Sequence, residues 1–129
     1  MGKKITNEEK DALKLAILQV LNRHIGRNNP ISMARLYSIA FEKDFADVIN
    51  DTRLMRQIIT ELRDAGNPIC STPAKSGGGY YLGDGSDLRD YCIKERRRAI
   101  KILTRESKMR KITVPELLGR IQMELSEVA

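Results

Sequence analysis

Apolar residues recur with a helical period in several separate stretches of the chain. The first stretch repeats them at i, i+3, i+4, i+7, i+8 and i+11, through Leu13, Ala16, Ile17, Val20, Leu21 and His24. Such a stripe is typical of an amphipathic helix. We predict this helix over residues 8–24, capped by Thr6 or Asn7 and ended by Gly26.

Two more helices are predicted before the period changes. Ser32 is a favourable N-cap for a second helix over residues 33–42. Asp51 or Thr52 is the predicted N-cap of a third helix, which runs to Ala65 because a glycine follows. The connector at 43–50 carries three apolar side chains for packing inward: Phe45, Val48 and Ile49.

The third predicted helix has one apolar and one polar face. Its apolar positions, expected to face a core, are Leu54, Met55, Ile58, Ile59 and Leu62. The opposite face carries Arg53, Arg56, Gln57, Thr60 and Arg63. Arginine pairs bidentately with guanine, and glutamine with adenine, in the major groove of DNA, so this face is a candidate for reading base edges. The alternative is an ordinary solvated helix surface rich in arginine.

After the third helix the sequence favours strands. They are predicted over residues 68–72 and 80–82, separated by a glycine-rich loop that a helix would not tolerate. Pro30 and Ile31 are too few for an independent strand, but they are expected to pair at the sheet edge. The loop tip has two candidate contacts to DNA phosphates or a minor groove, with a plain hairpin loop as the alternative: Lys75 and Ser76.

Two amphipathic helices are predicted after the hairpin. The longer covers residues 87–108, and the shorter begins at Thr113, whose spacing to Glu116 is that of a capping box. We therefore expect a mostly α-helical chain with one small β-hairpin. It is divided into a first domain over residues 1–85 and a helical extension over residues 86–129.

The formal net charge of +6 is concentrated in one stretch. Residues 1–88 carry +1 (12 basic, 11 acidic), residues 89–111 carry +7 (10 and 3), and residues 112–129 carry −2 (1 and 3). Clustered positive charge attracts a polyanion. The strongest basic cluster, a candidate for phosphate contact, consists of Arg96, Arg97, Arg98, Lys101, Arg105, Lys108, Arg110 and Lys111. Arg96, Arg97 and Lys101 are its predicted DNA-binding residues. The alternatives are a solvated helix face and a contact with an acidic protein.

Two short segments resemble a known family. Leu62–Ile69, with the sequence LRDAGNPI, and Gly78–Leu82, with the sequence GGYYL, resemble the end of the recognition helix and the wing of bacterial and phage winged helix-turn-helix proteins. The resemblance covers roughly residues 10–83. It implies a winged helix-turn-helix and binding of double-stranded DNA. Together with the two predicted C-terminal helices, the expected fold is a winged helix-turn-helix followed by two helices. The connector at 43–50 is longer and more acidic than the tight turn usual in that family.

The C-terminal helices carry more apolar residues than the first domain needs. These residues are Leu103, Ile112, Val114, Leu117, Leu118, Ile121, Met123 and Leu125. They are expected to be buried either against the first helix or in an isologous homodimer, the commonest symmetric assembly. A homodimer would present two reading helices to half-sites about one DNA turn apart.

Catalytic and metal-binding chemistry has little support in the residues. His24 is the only histidine, and Cys70 and Cys92 lie far apart in sequence, so neither a nucleophilic triad nor a zinc site is predicted. No cofactor or small-molecule substrate is expected, and no apolar run is long enough to span a bilayer.

The sequence thus favours a cytoplasmic, dimeric, sequence-specific DNA-binding regulator of phage or mobile-element type, and not an enzyme. Two alternatives remain open. One is a protein-interaction module on the same scaffold, which the near-neutral first 88 residues would suit. The other is a replication or recombination accessory protein that binds DNA with little sequence preference.

Overall fold

The computed structural model describes residues 5–44, 48–73 and 78–128, with the backbone alone at 48 and 49. This part of the chain contains five α-helices and one two-stranded antiparallel sheet. The elements in chain order are α1 (Asn7–Leu21), α2 (Met33–Phe41), α3 (Val48–Asp64), β1 (Ile69–Thr72), β2 (Gly79–Leu82), α4 (Gly85–Arg110) and α5 (Val114–Val128). The expectation of a mostly helical chain with one small hairpin is confirmed. Within the described ranges, no helix is both long and apolar enough to cross a lipid bilayer.

The predicted N-caps of α1 and α2 are confirmed. Thr6 and Ser32 each accept the backbone N–H three residues further on, at 3.1 and 3.2 Å. At the start of α5, the Thr113 hydroxyl accepts the Glu116 N–H at 3.2 Å and donates to the Glu116 carboxylate at 3.3 Å. Side chains that satisfy the first N–H groups of a helix therefore set where these three helices begin.

Helix α1 ends at Leu21, three residues before the predicted end at His24. Ile25 forms a parallel bridge to Leu82 of β2, and the Leu82 N–H donates to the His24 carbonyl at 2.9 Å. The helix cannot continue because the chain pairs with a strand at this point. Gly26, the predicted stop, has a φ of +94° and lies in the turn that follows.

Helix α3 begins at Val48, so the prediction that Asp51 or Thr52 caps it is wrong. Asp51 lies in the first turn, where a carboxylate interacts favourably with the helix dipole. Thr52 is a buried residue of the helix interior. Residues 48–50 therefore belong to α3 and not to the predicted connector. Three side chains predicted to pack inward lie outside the described part: Phe45, Val48 and Ile49.

Strand β2 is paired along both edges. On one edge β1 runs antiparallel to it, with Ile69 opposite Leu82. On the other edge Ile31 bridges Tyr80, with N–H···O distances of 2.8 and 2.9 Å. The predicted pairing of Ile31 at the sheet edge is confirmed. The remaining bounds of predicted helices and strands agree with the structure within two residues.

The chain forms two compact units, residues 1–89 and residues 90–129. In the first unit α1 packs on α2 and α3, and α3 packs on β1. Its fully buried apolar side chains are Ile17, Leu21, Leu36, Met55, Ile58, Ile59 and Ile69. The second unit consists of most of α4, the following turn and α5. The predicted domain division at 85–86 stays a prediction.

Candidate nucleic-acid interface

The outer face of α3 is set by helical spacing. Arg53, Arg56, Gln57 and Thr60 stand at i, i+3, i+4 and i+7, and all four are exposed. The residues on the opposite side of α3 belong to the core. Because those buried side chains fix the rotation of the helix about its axis, the four polar side chains face away from the core. We call them the α3 outer face.

Two hydrogen bonds along the α3 outer face are local. Arg53 Nη2 donates to Asn50 Oδ1 over 3.4 Å, a long hydrogen bond between two exposed side chains. Thr60 Oγ1 donates to the Arg56 carbonyl at 3.0 Å, within the helix. The hydroxyl oxygen of Thr60 keeps its capacity to accept. A bound partner with acceptor atoms could therefore take the place of Asn50 as the hydrogen-bond acceptor of Arg53, at little cost in free energy.

Arg63 is set apart from the other predicted α3 contacts. It is half-buried, and its Nε donates to the Ile69 carbonyl at 2.7 Å. This bond ties the last turn of α3 to the first residue of β1, so it holds the hairpin against the helix. The helical spacing of Arg63 gave no sign of this contact, because the acceptor belongs to the strand that follows the helix. A DNA contact by Arg63 stays a prediction.

Glu61 fixes the orientation of α3 against α1. Its carboxylate lies 3.3 Å from Lys10 Nζ and 3.8 Å from Lys14 Nζ, both on α1. The three side chains are half-buried, so solvent screens these ion pairs less than it screens pairs at the open surface. The pairs hold α3 from its buried flank and leave the α3 outer face uncovered by α1.

The hairpin is closed at the base of its loop. The Gly78 N–H donates to the Pro73 carbonyl at 3.1 Å, and Gly78 has a φ of +59°, which favours glycine. The predicted tip contacts, Lys75 and Ser76, lie outside the described residues. Their assignment as phosphate contacts stays a prediction.

A second basic surface lies on α4, within the unit formed by residues 90–129. Six exposed side chains at i, i+3, i+4, i+7, i+11 and i+14 share one side of the helix, and we call them the basic stripe: Lys94, Arg97, Arg98, Lys101, Arg105 and Lys108. Arg98 pairs with Glu95 at 3.2 Å, an exposed contact of small energetic weight. Six cations along one helix side make a strongly positive surface.

The basic stripe includes five of the eight cations of the predicted cluster and leaves out Arg96, Arg110 and Lys111. Arg97 and Lys101 belong to it, whereas Arg96, although exposed, lies on a different side of α4. Lys94 was not among the sequence candidates. Its position three and seven residues before Arg97 and Lys101 was the signal that could have found it.

The thiols and one buried phenol belong to neither of these surfaces. Cys70 is buried on β1 opposite Tyr81, and Cys92 is exposed on α4; both are free thiols. Burial, together with the neighbouring Cys70, raises the pKa of Tyr81 to about 12. Among the residues that the structure describes, no three or more His, Cys, Asp or Glu side chains are arranged to hold a metal ion.

Comparison with family models, with characterised proteins and with solved structures finds no match to this chain. The function is therefore inferred from the chemistry of its own residues. Two surfaces carry that inference, the α3 outer face and the basic stripe. Both present side chains that donate hydrogen bonds and carry positive charge.

Proposed function

We propose that this chain is a winged helix-turn-helix protein that binds double-stranded DNA and reads its sequence with α3. The observation that carries the proposal is the α3 outer face, four exposed polar side chains on a helix whose other side is buried. The order of α1 to α3 followed by a hairpin, and the pairing of Ile31 with β2, support the fold assignment.

The chemistry of the α3 outer face suits base edges in a major groove. The groove is about 12 Å wide and admits one α-helix. Arg53 and Arg56 offer the planar donor fork that matches guanine, and Gln57 offers the donor and acceptor pair that matches adenine. Each good bidentate contact discriminates against a wrong base by about 1–3 kcal/mol. Two or three such contacts suffice for useful sequence preference.

The basic stripe supports a second contact, to phosphates. Phosphate contacts position a protein on DNA and carry no sequence information directly. By themselves, six exposed cations also fit a replication or recombination accessory protein with little sequence preference, the second candidate function. A sequence-specific regulator is favoured because the α3 outer face combines arginine with a glutamine, and phosphate binding alone requires no glutamine.

In full, we propose that the chain is a cytoplasmic regulator of phage or mobile-element type and has no catalytic site. It acts as a homodimer. Two copies present two α3 helices, and a two-fold symmetric pair fits half-sites about one helical turn apart.

The test is fluorescence anisotropy of the full chain with labelled duplex DNA. The Arg53→Ala, Arg56→Ala double variant is expected to bind at least about tenfold more weakly than wild type, because it lacks two charged donors. Arg23→Ala is the matched control because Arg23 is an exposed arginine just after α1 and belongs to neither surface. Wild-type binding that is absent at low salt, or equal weakening in the variant and the control, would overturn the proposal.

A further inference from the structure

A groove lies between α1 and α2, within the unit of residues 1–89, and shares no described residue with the α3 outer face or the basic stripe. Its volume of about 500 Å³ is in the range of sites that bind small organic ligands. Both helices contribute apolar lining, Ala16 and Val20 from α1 and Ile39 and Ala40 from α2. Ile39 is 47% exposed, so an apolar ligand in the groove would remove it from water.

The cations that line the groove are gathered at one end of it. Ile25 and Ile31 pair with Leu82 and Tyr80 of β2, so α1 ends and α2 begins at the same end of the groove.

Two arginines lie at that end. Arg23 follows the last residue of α1, and Arg35 lies in the first turn of α2, with His24 beside them in the lining. Both arginines are exposed, and within the described part of the chain neither guanidinium forms an ion pair. Two guanidinium groups thus stand at one end of the groove with donors to offer.

The carboxylate in the described lining lies at the other end of the groove. It belongs to Glu42, which directly follows α2 and is exposed. Glu42 comes seven residues after Arg35, which corresponds to roughly 10 Å along the helix axis. Exposed charges at that separation are largely screened at physiological salt. The end with the two arginines therefore stays cationic, and apolar lining continues beyond it.

We propose that this groove binds a small organic carboxylate with an apolar body. The guanidinium groups of Arg23 and Arg35 donate to the carboxylate, for which their planar fork is suited. The apolar body covers the lining between the two helices. A small hydrophilic anion would leave that lining exposed to water, and a neutral apolar molecule would offer the two cations no charged acceptor. This binding site goes beyond the proposed function and does not depend on DNA binding.

Proton–nitrogen correlation NMR of the full chain, titrated with cyclohexanecarboxylate, tests the inference because it measures affinity and locates the site. Saturable shifts are expected at backbone amides of the groove, among them Val20 and Ile39. Cyclohexanecarboxamide has the same ring without the charge and is expected to bind at least about tenfold more weakly. Acetate has the charge without the ring and is expected to give no saturable shifts at the same concentrations.

Arg35→Gln removes one guanidinium group from the groove. It is expected to bind cyclohexanecarboxylate at least about threefold more weakly than wild type and to bind the carboxamide equally well. Arg89→Gln is the matched control, since Arg89 is an exposed arginine of the same compact unit and does not line the groove. That variant is expected to bind both compounds as wild type does.

Four outcomes would overturn the inference. They are saturable shifts that are missing or lie outside the groove, a carboxamide or acetate that binds as tightly as cyclohexanecarboxylate, an Arg35→Gln variant that binds as wild type does, and an Arg89→Gln variant that is weakened as much as Arg35→Gln. DNA binding is measured separately and without a carboxylate ligand, so Arg23→Ala remains a valid control there. Failure of the groove to bind the carboxylate leaves the proposed function intact, and absence of DNA binding leaves the groove intact.

Discussion

Gly79, at the start of β2, lies close to the backbone of Ile31, which bridges the next residue of the strand. A Cβ atom added at Gly79 would lie closer to the Ile31 carbonyl oxygen than real Cβ contacts come. The obstacle is backbone held by two hydrogen bonds, so a rotamer change cannot relieve it. The pairing of β2 with residue 31 therefore depends on the absence of a side chain here.

Gly79→Ala is expected to lower the free energy of unfolding by about 1–3 kcal/mol, the usual cost of forcing extra volume into packed structure. Urea unfolding followed by circular dichroism measures it. Gly119→Ala is the control, since a Cβ there meets nothing within 4 Å and alanine favours a helix. If both variants unfold at the wild-type midpoint, the close approach at Gly79 has no energetic weight.

The phenol of Tyr81 makes stability depend on alkaline pH. Burial is the main reason why its pKa rises from 10.0 to about 12, and the charges of Cys70 and Asp87 add to the effect. The folded chain therefore holds this proton at a pH where the unfolded chain has released it. The stabilisation is complete below pH 10 and disappears as the pH rises through about 12.

The free energy of unfolding of wild type is expected to fall between pH 10 and about 12, and that of Tyr81→Phe to fall less. Urea midpoints at a series of pH values give the comparison. The ultraviolet absorbance of tyrosinate reports tyrosine ionisation directly. In the Tyr81→Phe variant, the ionisation step at the highest pH should be missing. Identical pH profiles for the two proteins would contradict the role assigned to Tyr81.

At the scale of elements, local pattern predicted most of the fold. The period of α3 identified its buried side, and the caps at Thr6 and Ser32 follow from side chains that reach their own backbone. The end of α1 was predicted wrongly because distant segments meet there, and the contact of Arg63 was not foreseen for the same reason. Helix α1 ends early because Ile25 pairs with β2, and Arg63 bonds to β1. Neither contact leaves a periodic signal in the sequence.

The candidate site was predictable to a similar extent. The α3 outer face follows from helical spacing, and the structure brings its four residues together on one exposed side. On α4 the count of cations suggested a cluster, but a count does not distinguish sides of a helix. Grouping by spacing includes Lys94 and leaves Arg96 outside.

The basic stripe is expected to act through counterion release. Lys101→Gln with Arg105→Gln removes two exposed cations from the stripe, so the slope of log affinity against log salt should become shallower by roughly 0.9 for each phosphate that the variant no longer neutralises. Anisotropy titrations at several salt concentrations measure the slope. Arg120→Gln, an exposed cation on α5, is the control. If the slope of the double variant equals that of wild type, the basic stripe does not contact DNA phosphates.

At the scale of the whole molecule, charge and apolar surface are distributed unevenly. The unit of residues 1–89 has its own apolar core, whereas the unit of residues 90–129 exposes most of its apolar side chains. The division between them falls inside α4, where no loop composition marks it.

The central claim is that α3 reads base edges, and selection from random duplexes tests it most directly. Wild type is expected to enrich one sequence that contains guanine, and Arg56→Ala to lose the preference at one base position while keeping it elsewhere. If wild type enriches nothing, or if Arg56→Ala enriches the same sequence with the same strength at every position, α3 does not read DNA.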